Sequence, residues 1–158
     1  MDLETMNDVV CHESASEILS RKSSSQVWSI APDSSVFEAI HLMDKVGVGA
    51  LLVLAGGRLV GMISERDYAR KVILKGRSSR DTRVSEIMSA PAISVTPEDR
   101  VSDCLRIMTE RRIRHLPVLD KGSIAGVLSI GDLVNAVLSA QAAEMRHLKS
   151  YVAGHYPA

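Results

Sequence analysis

Gly61-Met62-Ile63-Ser64-Glu65-Arg66-Asp67 and Gly126-Val127-Leu128-Ser129-Ile130-Gly131-Asp132 are one pattern written twice: glycine, two apolar residues, serine, two variable residues, aspartate. The second copy follows the first at an offset of 65 residues. Working outward from this pair, residues 27–73 and 92–138 align without a gap. Identical counterparts include Pro32/Pro97, Val36/Val101, Met43/Met108, Leu51/Leu116 and Val53/Val118. A spacing kept through helices, turns and strands implies the same local fold in both copies. Two like units that each expose an apolar face are expected to pack on each other, with a cleft at their seam.

Within each copy the elements follow in order. Trp28-Ser29-Ile30 and Ile93-Ser94-Val95 read as short strands stopped by a proline turn. Pro97 suits the first position of a helix after Thr96, with Glu98 and Asp99 in its first turn. Val36, Ala39, Ile40 and Met43 then recur at helical spacing, as do Val101, Cys104, Leu105 and Met108. Two hairpins follow, turning at Gly56-Gly57 and at Asp120-Lys121-Gly122. A closing helix runs from about Glu65 to Lys75 and, in the second copy, from about Gly131 onward. Each copy is therefore β-α-β-β-α, and the fold class is α+β.

Ser16-Glu17-Ile18-Leu19 also echoes Ser85-Glu86-Ile87-Met88, so the repeat begins before its first strand. The expected organisation is a mobile N-terminal tail over 1–15, a first repeat over 16–75 and a linker over 76–84. A second repeat over 85–139 and a C-terminal helix and tail over 140–158 complete it. The first copy carries extra residues around Arg21–Ser25, which read as a loop. The linker, with Arg77, Arg80 and Arg83, reads as solvated, with anion binding as the other possibility. Val137, Leu138, Met145, Leu148 and Val152 form an apolar stripe that needs a cover, from the chain's own surface or from a second subunit.

Composition narrows the function. The 158 residues carry no formal net charge, which argues against a broad nucleic-acid or acidic-membrane footprint. No apolar run approaches the roughly 20 residues that span a bilayer. Met1-Asp2-Leu3-Glu4 has neither a basic start nor an apolar signal core, so a cytoplasmic location is expected. Two cysteines, Cys11 and Cys104, give no disulfide framework. Cys104 falls on a helix's apolar stripe and reads as core, and Cys11-His12 lacks the partner pair of a metal site. The five histidines, His12, His41, His115, His147 and His155, are scattered. No nucleophile–base set is visible, and Gly56-Gly57-Arg58 lacks the ending of a phosphate loop of Walker type. Catalysis is not expected.

The serine and aspartate of the repeated pattern have two readings. As a capping box they satisfy backbone donors at a helix start. As a site, the carboxylate accepts ribose hydroxyls, while serine and first-turn amides suit ribose or phosphate oxygens. The preceding glycine lets another group approach the strand. In the second copy Arg111-Arg112-Ile113-Arg114-His115 adds anion-binding side chains, where the first copy has Val46-Gly47-Val48-Gly49-Ala50. Strand alternation would put Arg114 and Leu116 on one face and Ile113 and His115 on the other.

This tandem pattern, with Ile113-Arg114-His115-Leu116-Pro117-Val118 in the second copy, resembles a CBS-domain pair, or Bateman module, over about residues 16–140. Ser64-Glu65-Arg66-Asp67-Tyr68 with Gly76-Arg77-Ser78-Ser79 is similar to stand-alone pairs of the bacterial type. The resemblance implies two repeats packed through their sheets with pseudo-twofold symmetry, and a homodimer. It also implies clefts that take adenosine compounds such as AMP, ADP, ATP, NAD or S-adenosylmethionine, with no required cofactor. By the same resemblance Asp132 and Asp67 bind ribose, with Ser129 and Ser64 beside them. Arg114 and His115 contact phosphate; the first copy departs from that pattern at Gly49-Ala50, where Arg66, Arg70 or the linker arginines would have to supply the charge. Ser29 and Ile30, and Ser94, Val95 and Thr96, line the adenine. The expected function is a regulatory sensor that passes a shape change to a partner protein. An interaction module whose Ser/Asp pairs only cap helices is the alternative.

Overall fold

The apolar stripes become the helices and the β-rich runs the hairpins, in a computed structural model that describes residues 12–22 and 26–153. In chain order these are α1 (Ala15–Arg21), β1 (Ser29–Ile30), α2 (Val36–Val46), β2 (Ala50–Ala55), β3 (Arg58–Ser64) and α3 (Glu65–Tyr68). Helix α3 widens into a π-helical turn over Ala69–Ile73. Then follow α4 (Val84–Ile87), α5 (Val101–Arg111), β4 (His115–Asp120), β5 (Ser123–Ser129) and α6 (Ile130–Val152). The architecture is α+β. Both hairpin turns use positive φ, at Gly56 and Gly57 and at Lys121 and Gly122, the geometry that matches strand twist.

The chain divides into two compact units that are not its two halves. Of the described residues, one holds 12–22, Val95–Val118 and 127–153; the other holds Gln26–Ser94 and Leu119–Gly126. In the first, Ala15 and Ile18 of α1 are buried with Val101, Cys104, Met108, Leu116, Val118, Leu128 and Leu133. In the second, Val84 and Ile87 of α4 are buried with Val36, Ala39, Met43, Leu51, Val53, Ile63 and Val72. The short helix that precedes each copy in sequence thus completes the core of the other copy. Within its core the Cys104 thiol is pushed up to about 11 by burial, with Asp99 and Asp103 adding to the effect, so it stays neutral.

This exchange corrects the reading of Pro97. Helix α5 starts at Val101, and Thr96–Asp99 is a turn closed by Asp99 N–H donating to Thr96 O at 3.1 Å. The carbonyls of that turn are committed elsewhere. Asp99 O accepts from Ala15 N at 2.7 Å and Pro97 O from Ser16 N at 3.0 Å, which satisfies first-turn donors of α1. In the other unit Ser34 O and Pro32 O accept from Val84 N and Ser85 N of α4 at 2.8 and 2.9 Å. Each proline turn caps the exchanged helix instead of starting its own. Glu13 to Ala15 accordingly belong to the folded body and not to the expected tail; Ala15 is fully buried. Residues 1–11, with Cys11, lie outside the described residues, as do Ser23–Ser25 of the extra loop.

The copies differ in their first strand. In the first, β1 pairs in parallel with β2, and Leu52 N–H donates to Trp28 O at 3.1 Å. The residue matching Leu52 is Pro117, which has no N–H to give. The expected strand Ile93–Val95 is therefore reduced to one bridge, Val95 with Val118, where Val95 N–H donates to Pro117 O at 3.0 Å.

The linker is tied down rather than merely solvated. Thr82 is buried, its carbonyl accepts from Val36 N at 2.8 Å, and its hydroxyl donates to Ser78 O at 2.7 Å. Arg77 binds Glu86 at 2.6 Å, and Arg80 lies 3.9 Å from the centre of the Phe37 ring. The closing helix of the second copy and the C-terminal helix are one helix of 23 residues. Its Leu133 and Ala136 face the core, with Val137 and Ala140 against it, while Leu138, Met145, Leu148 and Val152 stay exposed. No helix among the described residues is long and apolar enough to cross a membrane.

Candidate functional site

Each repeated pattern ends a strand and starts a helix, and in both units serine and aspartate form a reciprocal cap. At the start of α6, Asp132 N–H donates to Ser129 Oγ at 3.1 Å and Ser129 N–H to Asp132 Oδ2 at 2.8 Å. Ile130 N–H donates to Arg114 O at 2.8 Å. Of the first-turn amides, Gly131 N–H is left with no bonded partner among the described residues.

Lys22, the C-cap of α1, adds a cation. Its Nζ lies 2.9 Å from Asp132 Oδ2 and donates to Val127 O at 2.8 Å. Burial pushes the Asp132 carboxyl up. The Ser129 amide, the Lys22 ammonium and the Ser129 hydroxyl outweigh that and hold it below the ordinary carboxylate range. Both bonds land on Oδ2, so Oδ1 has no bonded partner among the described residues.

The cap of α3 is more fully closed. Asp67 Oδ2 accepts from Ser64 N at 2.9 Å and from Ser64 Oγ at 3.0 Å, and Asp67 N–H donates back to Ser64 Oγ at 3.2 Å. Oδ1 faces Lys71 Nζ at 3.2 Å. Glu65 N–H donates to Gly49 O at 3.1 Å, the counterpart of the Ile130–Arg114 bond. Both carboxylate oxygens of Asp67 are thus engaged within the unit, and the serine hydroxyl proton with them.

The basic run divides by position. Arg111 closes the last turn of α5 and Arg112 is its C-cap, both at the negative end of the helix dipole. Arg114 is exposed in a bend before β4, so strand alternation does not reach it, and Leu116 alone of that expected pair is buried. Through its carbonyl Arg114 sits one hydrogen bond from the Ser129–Asp132 cap, and His115 follows it, half-buried, as the first residue of β4. Arg66 lies in the first turn of α3. Of the expected adenine lining, Ser29, Ser94 and Thr96 are exposed and Ile30 is half-buried. Val95 is 3% exposed and its side chain belongs to the core. The described residues hold no group of three His, Cys, Asp or Glu that could bind a metal ion.

The family profile described as CBS domain matches residues 15–73 and 84–139. The chain belongs to the CBS-domain family. It carries two CBS domains in tandem, and it is 45% identical over 130 residues to the Arabidopsis thaliana CBS domain-containing protein CBSX3, mitochondrial. That alignment covers 78% of this chain and 63% of the plant protein, so the chain spans less than two thirds of that relative's length. A solved CBS-domain protein from Burkholderia ambifaria MC40-6 has a TM-score of 0.78 and 46% identity, covering 80% of this chain and 95% of that one. The CBS domain pair of protein MJ0100, solved with 5'-methylthioadenosine and S-adenosyl-L-methionine, shares the fold at a TM-score of 0.68 and 22% identity. It covers 78% of this chain and 94% of that one.

Two features of this CBS pair escaped the sequence reading. Lys22 and Lys71 were not singled out, although each pairs with a pattern aspartate. Asp67 and Lys71 are four apart on one helix, a spacing that signals an ion pair; Lys22 reaches Asp132 only because α1 packs in the other copy's core. The close approach at Gly61 is made by the chain itself. A Cβ there would lie 2.8 Å from Ser89 O and 2.9 Å from Met88 Sδ, because Met62 and Ser89 exchange backbone hydrogen bonds.

Proposed function

We propose that the protein is a non-catalytic regulatory module that binds an adenine nucleotide (AMP, ADP, ATP or NAD) at the strand–helix junction of Asp132. The observation that carries this reading is the incomplete satisfaction of that junction. Among the described residues Asp132 Oδ1 and the Gly131 amide have no bonded partner, beside the backbone of Arg114. A depressed carboxyl keeps Asp132 an acceptor for ribose hydroxyls at neutral pH. A helix-start amide and the adjacent Arg114 and His115 suit an anionic phosphate. The adenosine compounds held by the MJ0100 pair agree with that ligand class at the level of fold. Binding regulates a partner protein only if the ligand favours one of two arrangements of the module.

Titration calorimetry with AMP, ADP, ATP and NAD tests this. Asp132→Ala is expected to weaken the best ligand by at least about tenfold, or 1.4 kcal/mol. No heat with any of the four for the wild-type chain would sink the proposal. The rival reading is an interaction module without ligand, and the lysines favour it: each aspartate already has a cap and a counter-ion. Under that reading Asp132→Ala lowers stability, and no adenosine ligand binds either protein.

A further inference from the structure

We infer that Lys22 is a ligand-binding residue of the Asp132 site, and that together with Asp132 it selects a ribose over a deoxyribose. This role rests on the nucleotide reading above and adds a residue to it. Lys22 closes α1 as its C-cap, with its backbone N–H donating to Leu19 O. Its side chain, 29% exposed, runs to acceptors on two other elements. Nζ lies 2.9 Å from Asp132 Oδ2 of α6 and 2.8 Å from Val127 O of β5. An ammonium carries three donors. Two hold it in place, and the third has no bonded partner among the described residues.

The other unit shows what this lysine replaces. Met62 is the counterpart of Val127, and there the strand-edge carbonyl is met by backbone, Ser89 N–H donating to Met62 O at 2.8 Å. An amide has one proton and spends it on that bond. The ammonium that stands in its place spends one on Val127 O, one on Asp132, and keeps one. Its remaining donor sits beside an acceptor in the same condition, because Asp132 Oδ1 has no bonded partner among the described residues. A sugar hydroxyl answers both at once: its proton goes to Oδ1, and its lone pair accepts from Nζ. A methylene in its place does neither, and leaves two part-buried charged groups each short of a bond. A site built to hydrogen-bond a hydroxyl rejects the analogue that lacks it. At Asp67 this pairing is closed off, since Lys71 Nζ takes Oδ1 and the Ser64 amide and hydroxyl take Oδ2.

Calorimetry of the full chain with AMP, ADP, ATP and NAD, each beside the forms that lack the 2'- or the 3'-hydroxyl of its adenosine, tests this. The wild type is expected to prefer the parent nucleotide over at least one deoxy form by about tenfold or more. Lys22→Met keeps the backbone cap of α1 and loses the ammonium, with the fold checked by circular dichroism. The lost charge weakens parent and deoxy forms alike, so the ratio between them isolates the hydroxyl. That ratio should fall to about threefold or less. Lys22→Arg keeps both charge and donors, and should hold a ratio above that of Lys22→Met. Equal weakening of parent and deoxy forms by Lys22→Met would make the lysine a support of the cap alone; that overturns this role and leaves the nucleotide reading standing. A wild type that binds parent and deoxy forms equally overturns it in the same way. No binding of any parent nucleotide overturns both.

Discussion

At Asp67 the ammonium comes from the capped helix itself, from Lys71 one turn along; at Asp132 it comes from Lys22, at the end of a helix near the opposite terminus of the chain. The same serine–aspartate cap is counter-charged from two directions. In each unit the lysine also stitches the exchanged helix to the cap. Lys71 Nζ donates to Ile87 O of α4 at 2.8 Å, and Lys22 on α1 donates to Val127 O of β5. The counterpart of Lys71 is Ala136, and Lys22 lies among the extra residues of the first copy, so each copy lacks the other's solution. One pattern can therefore serve two ends. Both carboxylate oxygens of Asp67 are engaged within its unit, whereas Asp132 Oδ1 has no bonded partner among the described residues.

The largest expected effect breaks the comparison at its glycines. Gly61→Ala forces a Cβ against the Ser89 carbonyl, which the paired strand backbone cannot withdraw. It should cost about 1–3 kcal/mol in denaturant unfolding. Gly131→Ala meets only Ser129 Oγ at 3.6 Å, an ordinary contact. It should be neutral or, through helix propensity, stabilising by up to about 1 kcal/mol. Next in size is the aspartate pair. Asp132→Ala should weaken nucleotide binding by about tenfold or more and Asp67→Ala by less than about threefold, read by calorimetry. Equal losses would mean that the closed cap opens for ligand as readily as the other.

Much of this was legible. The offset repeat, the buried stripes and the two Ser-x-x-Asp caps are local patterns, and local patterns survive folding. What was hidden depends on the exchange of α1 and α4. Thr96-Pro97-Glu98-Asp99 has good helix-start chemistry, yet its carbonyls are taken by α1, and no local signal announces a partner some 80 residues upstream. Lys22 was invisible for the same reason. The loss of the strand at Ile93–Val95, by contrast, could have been read from Pro117, whose missing N–H removes the bond that Leu52 makes. The alternation expected from Arg114 onward fails at its first residue, because β4 begins at His115.

The lysines give a smaller and pH-dependent contrast. Lys22 and Asp132 are both less than a third exposed, and Lys22→Met should cost about 1 kcal/mol; the more exposed Lys71 should cost less. The folded Asp132 carboxyl titrates below its ordinary 3.8, so in acid the unfolded chain binds the extra proton. Its contribution is complete at neutral pH and is lost as the pH falls through the depressed folded value. Unfolding followed from pH 7 downward should show that loss, reduced in Lys22→Met and kept in Lys71→Met.

The smallest contrast lies at the two helix ends that lead into β2 and β4. Gly47 ends α2 at φ 73°, and its counterpart Arg112 ends α5 at φ 53°. Glycine adopts this left-handed conformation at no steric cost, whereas a side chain pays about 1 kcal/mol for it. Arg112→Gly should therefore stabilise its unit by up to about 0.5–1 kcal/mol, less whatever the arginine's own side-chain interaction contributes. Gly47→Ala should lose a similar amount. The pair also tests how the basic run is divided. Arg112 sits at the C-terminus of α5, while the Arg114 carbonyl accepts from Ile130 N at the start of α6. Arg112→Gly should leave nucleotide affinity within about twofold of wild type, while Arg114→Ala should weaken it about fivefold, a charge-assisted contact's worth. If Arg112→Gly weakened binding as much as Arg114→Ala, the run would act as a diffuse positive field and not through a residue placed at the Asp132 cap.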